Sequence, residues 1–358
     1  MSLDLNLVPD GGVGWLDASG PESHIVLSTR VRLARNVVGK RFTIRADANE
    51  RASVLHDVET AVKDIGQLEP ASLIGLDALT PLERQLLYER HLVSRDIAGL
   101  GGQAVRSSTA LVAGSDVGLM VNEEDHLRLQ CFRSGFALWE TYRELGQLDT
   151  SLGERLPFAF HNEFGYLTSC PTNAGTGMRA SVLIHLPGLV LTKEISKVLQ
   201  GLSQVGLTFR GLYGEGSEVV GNFFQISNQT TLGKSEEDLL AHLSDMVTKV
   251  LEYEERARQV LVRDARAIIA DKVWRAYGLL RYARTVSFEE MMNLLSGVRL
   301  GVGVGLVSGV STYALNKLMI FAQPAHLAFK TDRGTDDPVL DEVRSELIRN
   351  TLEEDAKR

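Results

Sequence analysis

The hydrophobic period of this chain changes once, near Gly233, and that change limits the folds open to it. Before Gly233, short apolar runs alternate with a period of two, as strands do; after it, apolar residues recur at helical spacing. The runs 24–35, 127–132, 207–210 and 219–227 read as strands, and 109–121 reads as a hairpin. Between them, 48–67, 81–92 and 191–205 read as helices, and Phe136, Trp139, Tyr142 and Leu145 recur as one core-facing helical stripe. Ser235-Glu236-Glu237-Asp238 opens the second part as a helix cap with acid in the first turn. Leu239, Leu243, Met246, Val250 and Leu251 continue that helix. Further helices are expected over 264–283, over 288–295 behind Ser287, and over 312–321, and 338–358 starts as one. The expected organisation is an irregular lead-in (1–23), a mixed domain (24–233) and an all-α domain (234–358), which suits a chain of 358 residues.

Polar residues within the mixed domain follow the same periods. Strand alternation places Ser28, Arg30 and Arg32 on one face and Thr29, Val31 and Leu33 on the other. Two arginines on one strand face repel each other unless an anion lies between them. A charged edge strand is the plainer explanation; a polyphosphate clamp is the functional one, since the guanidinium fork matches phosphate oxygens. The acidic stretch Asn122-Glu123-Glu124-Asp125-His126 sits between two strand-like runs. A carboxylate at a strand end is better placed for chemistry than one on a loose loop. Alternation then puts His126, Arg128 and Gln130 on one face and Leu127, Leu129 and Cys131 on the other, making Cys131 a buried thiol.

Cys170-Pro-Thr-Asn-Ala-Gly-Thr-Gly177 is a turn-rich loop feeding a strand through Arg179. Its small residues let backbone N–H groups approach an anion, although the Gly-Lys-Ser/Thr ending of a Walker A loop is missing. Cys170 is either an inert small residue or, in a positive field, a reactive one. Gly211-Leu212-Tyr213-Gly214-Glu215-Gly216 is a lid-like loop or an ordinary hairpin turn. His91 closes a helix and is a cap residue or a contact to a nucleotide ring. Gly301-x-Gly303-x-Gly305 has no strand before it, so it is not a nucleotide loop.

Composition excludes several classes. A net charge of −8 and a pI near 5.6 give no global basic field for nucleic acid. Residues 1–6 do not have the make-up of a signal peptide. The weakly polar run 297–321 carries Arg299, Asn316 and Lys317 and reads as a buried helix with its approach loop, not as a membrane span. Two cysteines make no disulfide framework, so a reduced, cytoplasmic setting is expected.

Arg30, Arg32, Arg128, Arg179 and Arg210 all fall on strands or strand ends, with Glu124, Glu215 and Cys170 beside flexible backbone. An excess of arginine suits the phosphates of ATP, because phosphoryl transfer needs positioning and charge neutralisation more than covalent help. Two glutamates among those arginines suit a planar cationic acceptor. They can grip a guanidinium and take its proton, which its pKa above about 12 makes necessary.

Ser-Thr-Arg-Val-Arg (28–32), Asn-Glu-Glu-Asp-His (122–126), Cys-Pro-Thr-Asn-x-Gly-Thr-Gly (170–177) with Arg-Ala-Ser-Val (179–182), and Arg-Gly-x-x-Gly-Glu (210–215) resemble the ATP:guanido phosphotransferases, the creatine and arginine kinase family. The four ordered blocks span roughly 24–230. The resemblance implies an α+β fold, in which an antiparallel β-sheet catalytic domain flanked by helices is followed here by the all-α domain. It implies a nucleotide site made by Ser28, Thr29, Arg30, Val31, Arg32, His91, Arg128, Arg179, Ala180, Ser181, Val182, Leu183 and the segment Arg210, Gly211, Leu212, Tyr213, Gly214, Glu215. Glu124 and Glu215 would orient and deprotonate the guanidinium, Cys170 would contact it as a thiolate, and Mg²⁺ would be held by the phosphates and not by a protein metal site.

Two departures point within the family. A short lead-in replaces the helical domain that precedes this block in kinases of small phosphagens, and Leu183 stands where those enzymes carry a histidine. Both features, with Gly-Asn-Phe-Phe-Gln-Ile-Ser-Asn-Gln (221–229), resemble the bacterial protein-arginine kinases of the McsB type. That likeness implies protein substrates with exposed arginines (heat-shock repressors and misfolded proteins), an activator protein, a Clp ATPase and protease downstream, homodimers or higher assemblies, and a cytoplasmic stress-response role. It also implies phosphoarginine binding through Asp341 and Arg344, with Leu340 in place of a first arginine. Other readings are a kinase of a small free guanidino compound and a catalytically silent adaptor.

Overall fold

The computed structural model describes residues 13–68, 72–102, 104–114, 116–212 and 219–357. Its strands are β1 (Val26–Arg35), β2 (Ser72–Gly75), β3 (Ala110–Ala113), β4 (Val117–Val121), β5 (Leu127–Ser134), β6 (Phe160–His161), β7 (Gly165–Tyr166), β8 (Met178–His185), β9 (Leu207–Arg210) and β10 (Phe223–Asn228). All but β6 and β7 form one eight-stranded sheet in the order β2-β3-β4-β5-β1-β8-β10-β9. Every neighbouring pair is antiparallel, as expected. The arginine strand β1 lies inside the sheet, between β5 and β8. Arg30 faces Phe132 across one ladder and Ser181 across the other; Arg32 faces Gln130 and Arg179. The charged face is therefore not an edge strand, which removes the plainer explanation of its charge.

The helices are α1 (Ala48–Ala61), α2 (Pro81–Glu89), α3 (Leu138–Gly153), α4 (Pro187–Leu191), α5 (Ile195–Gln204), α6 (Glu236–Asp264), α7 (Arg266–Tyr282), α8 (Phe288–Gly303), α9 (Thr312–Phe321), α10 (Pro324–Thr331) and α11 (Val339–Asp355). Val31, Leu33, Leu129, Cys131, Ala180 and Val182 point from the sheet into one core. That core is closed by Val54 and Val58 of α1, Leu145 and Leu148 of α3, and Leu239 to Ala257 of α6. A register shift between Val26 and Ser28 turns Leu27 to the opposite side. There Leu27, Leu183, Leu212 and Phe223 pack with α7, α8, α9 and α11 in a second core. One sheet face is thus covered by helices, and the other is covered only in part by the C-terminal layer. The uncovered part carries the arginines.

Ser235 caps α6 with the expected reciprocal box to Asp238. Several expected elements change. Trp139 is exposed; the buried stripe of α3 is Leu138, Thr141, Leu145, Leu148 and Leu152, so the aromatic period was offset from the true face. The expected helix over 191–205 is α5, which starts only at Ile195; α4 ends at Leu191, and Lys193 in the left-handed region (φ 62°) separates the two. Strand β10 starts only after Gly221 and Asn222, both at positive φ. The run 297–321 is the end of α8, a loop and α9. Gly301 lies within α8, where an added Cβ would meet Val273 at 2.3 Å, so this glycine serves helix packing. Among the described residues no helix is long and apolar enough to cross a membrane.

Candidate active site

The uncovered face of the sheet forms the floor of a cavity of about 950 Å³. Arg30, Arg32, Arg128, Arg179, Arg210, His91, Leu212, Glu124 and Cys170 all line it. Five arginines drawn from four distant segments thus share one space with the carboxylate and the thiol. A small slot opens beside it, lined by Trp15, Ser28, His91, Phe132, Ser181 and Leu183. Thr29, Val31, Ala180 and Val182 alternate away from both. Thr29 Oγ1 donates to the Gly135 carbonyl (2.7 Å), and the other three lie in the core. These four can meet a ligand only through backbone. Tyr213, Gly214 and Glu215 lie outside the described residues.

Burial and like charges on adjacent strands together set the electrostatics of the floor. Burial, then the Arg128 and Arg179 guanidinium groups, push Arg30 down to about 9. Burial, then the neighbouring Arg30, Arg128 and Arg179, push Arg32 well below its ordinary value. The Nε atoms of Arg30 and Arg32 are buried and make no hydrogen bond. Arg30 Nη2 donates to Gln130 Oε1, and its guanidinium lies 4.7 Å above the Phe132 ring centre. Gln130 Nε2 in turn donates to the Leu92 carbonyl at 2.9 Å. Arg179 Nη2 donates to Ser227 Oγ at 3.2 Å. Buried N–H groups without acceptors, among crowded cations, are what a polyanion would satisfy.

The acidic loop divides into residues with different tasks. Glu123 is 4 % exposed and accepts from Arg128 Nη1 with both carboxylate oxygens, at 2.8 and 2.7 Å. Burial alone would raise its carboxyl; Arg128 overrides that and holds it down to about 2. Burial also works against the charge of Arg128, and Glu123 more than offsets it. Glu124 is half-buried and differs. Burial, then Asp125 and Glu123, raise its carboxyl above the ordinary value, which makes it the stronger base of the pair. Asp125 is a brace: its Oδ1 accepts from Asn36 Nδ2 and from the Ser169 amide, each at 2.6 Å. His126 precedes β5 and does not share the face of Arg128. Its Nδ1 accepts from the Val37 amide (3.0 Å) and its Nε2 donates to the Arg41 carbonyl (2.8 Å). Burial lowers its pKa, in keeping with a neutral structural ring.

The same brace brings the thiol in. Ser169 Oγ donates to the Glu124 carbonyl at 2.8 Å, so the residue before Cys170 is bonded to both Glu124 and Asp125. Cys170 Sγ lies 3.0 Å from Thr172 Oγ1. The loop after it runs tight against its neighbours: at Gly175 (φ 101°) an added Cβ would meet the Thr231 carbonyl at 2.5 Å. This is the physical reason for glycine there. His91 sits past α2 at φ 61°, edge-on to Trp15 at 5.9 Å. Burial, then Arg30, hold its ring down to about 3, so it is neutral. Far from the cavity, Arg344 is buried in the helical layer, where it donates to the Ala322 and Val286 carbonyls (2.8 and 2.9 Å) and to Asp341.

Sequence reasoning missed Glu123 as the counter-ion of Arg128 and Gln130 as the brace of Arg30. It also missed Trp15 in the slot, in a segment taken as an irregular lead-in. Strand alternation did carry a signal for Gln130, which shares a face with Arg128. Glu123 and Trp15 carried none, since only folding brings them to their partners.

Comparison with known proteins agrees with this geometry. Residues 53–257 match the family model of the ATP:guanido phosphotransferase C-terminal catalytic domain, and residues 266–358 match that of the protein-arginine kinase McsB C-terminal domain. A protein-arginine kinase of Pelotomaculum thermopropionicum is 45% identical over 341 residues, covering 94% of each chain. One from Bacillus cereus is 41% identical over 356 residues, covering 98% of this chain and 99% of its own. The crystal structure of a lombricine kinase superposes with a TM-score of 0.58 at 24% identity, over 69% of this chain and 71% of that one, and so shares the fold. The duplicated taurocyamine kinase of Schistosoma mansoni, solved with transition-state-analogue components, superposes with a TM-score of 0.59 at 28% identity, over 71% of this chain and 35% of its own. A catalytic-domain match over more than half the chain, followed by the McsB-type C-terminal domain and near full-length relatives, shows that the chain belongs to the protein-arginine kinases of the ATP:guanido phosphotransferase family.

Proposed function

We propose that this chain transfers the γ-phosphate of ATP to arginine side chains of proteins. The observation that carries this is the single cavity in which five arginines, with the Nε groups of Arg30 and Arg32 buried and without a hydrogen bond, share the lining with Glu124 and Cys170, which are tied together through Ser169. Arg30, Arg32, Arg128, Arg179 and Arg210 hold the phosphates. The slot at Trp15, His91 and Leu183 takes the base, where the neutral His91 ring offers a face without charge. Glu124, with Glu215, grips the acceptor guanidinium and takes one proton from the attacking nitrogen. An N–P bond forms, the bond to the ADP oxygen breaks, and ADP leaves with the electron pair. Cys170 contacts the guanidinium from the other side. Mg²⁺ would be held by the nucleotide phosphates and would supply charge neutralisation there.

Likeness to the family supports the rest of the proposal. The chain works in the cytoplasm as a homodimer or larger homo-oligomer, with an activator protein, and its phosphoarginine marks repressors or misfolded proteins for a Clp-type protease in stress. The test is incubation with ATP, Mg²⁺ and an unfolded basic protein, followed by mass spectrometry for acid-labile phosphate on arginine. Label found only on hydroxyl side chains, or turnover of free arginine with proteins untouched, would refute it.

Gln130 gives a sharper check on the phosphate side. A Gln130→Leu change removes the acceptor of Arg30 and leaves the Leu92 carbonyl without its donor. The expected result is a KM for ATP raised about tenfold with little change in kcat, since a hydrogen bond to a charged group contributes about 1.5–3 kcal/mol. Steady-state kinetics at varied ATP decides it, and an unchanged KM contradicts the brace.

A further inference from the structure

The end of α2 is tied to the helical layer by a buried set of polar side chains. Helix α10 opens on Pro324, and the side chain of its own cap residue, Gln323, bonds nothing in the first turn. Glu89, the last residue of α2, does so from outside. Its carboxylate accepts from the Ala325 amide (3.0 and 3.1 Å) and from the His326 amide (3.3 Å). Free N–H groups and the helix dipole favour negative charge there. The His326 ring completes the tie: Nδ1 donates to Glu89 Oε2 (2.9 Å), and Nε2 accepts from Arg90 Nε (3.1 Å). One neutral tautomer satisfies both bonds, and burial lowers the pKa of the ring in keeping with it. Glu89, Arg90 and His326 are all buried. Phe321 of α9 lies 5.5 Å from the Arg90 guanidinium and edge-on to His326 at 5.6 Å.

His91 follows Arg90 directly, and its ring and Trp15 both line the slot beside the cavity. A residue other than glycine at positive φ persists only where its surroundings hold it there, and His91 is such a residue. The Trp15 side is held by the same helical layer. Asn316 Nδ2 of α9 donates to the Leu16 carbonyl (2.9 Å), and Ile320 packs in one cluster with Trp15 and Phe132. We propose that Glu89 and His326 are positioning residues for the nucleotide base: they clamp the end of α2 onto α10, so that His91 keeps its place opposite Trp15 and the slot keeps its width. The inference rests on the reading above that this slot takes the base. Arg32, Arg128 and Arg179 are carried by β1, β5 and β8, inside the sheet and apart from the clamp. Loosening the clamp therefore weakens base contacts and leaves phosphate contacts in place.

Calorimetric titration of the full chain with ATP and with inorganic triphosphate, both with Mg²⁺, reads the contribution of the base as the ratio of two affinities. The parent should bind ATP more tightly. In His326→Leu the ATP affinity should fall about tenfold, the scale of a lost hydrogen bond to a charged group, while triphosphate affinity stays the same. The unchanged arm also shows that the variant is folded. His326→Asn is the milder second variant: it keeps a donor for Glu89, removes only the acceptor of Arg90, and should move the ratio the same way. A ratio equal to the parent's in both variants, or an equal loss for the two ligands in both variants, overturns the clamp. A parent that binds the two ligands equally overturns the base slot itself, and the clamp with it.

Discussion

A Glu124→Gln protein is expected to bind ATP as the parent does and to phosphorylate arginine about 10²–10⁴-fold more slowly, the usual effect of losing a general base. The amide keeps the shape of the carboxylate and the brace on its backbone carbonyl from Ser169. It cannot take the proton that makes the guanidinium a nucleophile. The pH profile gives an independent readout. Burial and the two flanking acids raise the Glu124 carboxyl. In the parent, kcat/KM should fall as pH drops through a value above the ordinary carboxylate range, because protonation removes the base. The variant's residual rate should lack that acid limb. Nucleotide titration by calorimetry and a pH series on both proteins check this. A variant that loses ATP affinity but keeps turnover would reverse the assignment.

Glu123→Ala should act through stability. The parent carboxylate is buried and pairs with Arg128 through both oxygens. Removing it leaves the Arg128 charge near Arg30 with only the weaker attraction of Glu124 and Asp125, and breaking a buried pair from one side costs about 3–5 kcal/mol. Urea unfolding measures the loss. A Glu123→Ala, Arg128→Met double variant should recover part of it, since no charge is then stranded. Acid gives the same sign. The folded Glu123 pKa of about 2 lies below its ordinary 4.5. Its contribution is therefore full above the unfolded value and is lost as pH falls from there through the folded one. A Glu123→Ala protein as stable as the parent at neutral pH would contradict this account.

The two residues are neighbours in one acidic run, and that run shows how far sequence alone reached. Local periodicity predicted β1 and β9 closely, along with the capped start of α6, because alternation and capping are short-range. Glu124 stood out by its place beside flexible backbone, and its role came from likeness to a family. Nothing local separates the titration of Glu123 from that of Glu124; their pKa values part because Arg128 lies beside one and the other sits among acids. The stripe of α3 was misjudged for a related reason. Aromatic residues mark a helix face by size, whereas burial depends on where the sheet lies, and Leu138 and Thr141 meet it. The break between α4 and α5 was invisible because Lys193 carries no turn signal. Glycines at 175 and 177 were legible as a loop, but not as close contacts with Thr231 and Ala34.

Strand β1 has a consequence for the living cell. It is one of the innermost strands of the sheet, and its apolar face anchors the core through Val31 and Leu33. Its other face holds cations that repel one another until a polyanion settles among them. A polyanion bound there would relieve that repulsion, and ligand binding to the native state stabilises it by mass action. A kinase built this way is sturdiest when its phosphate donor is abundant.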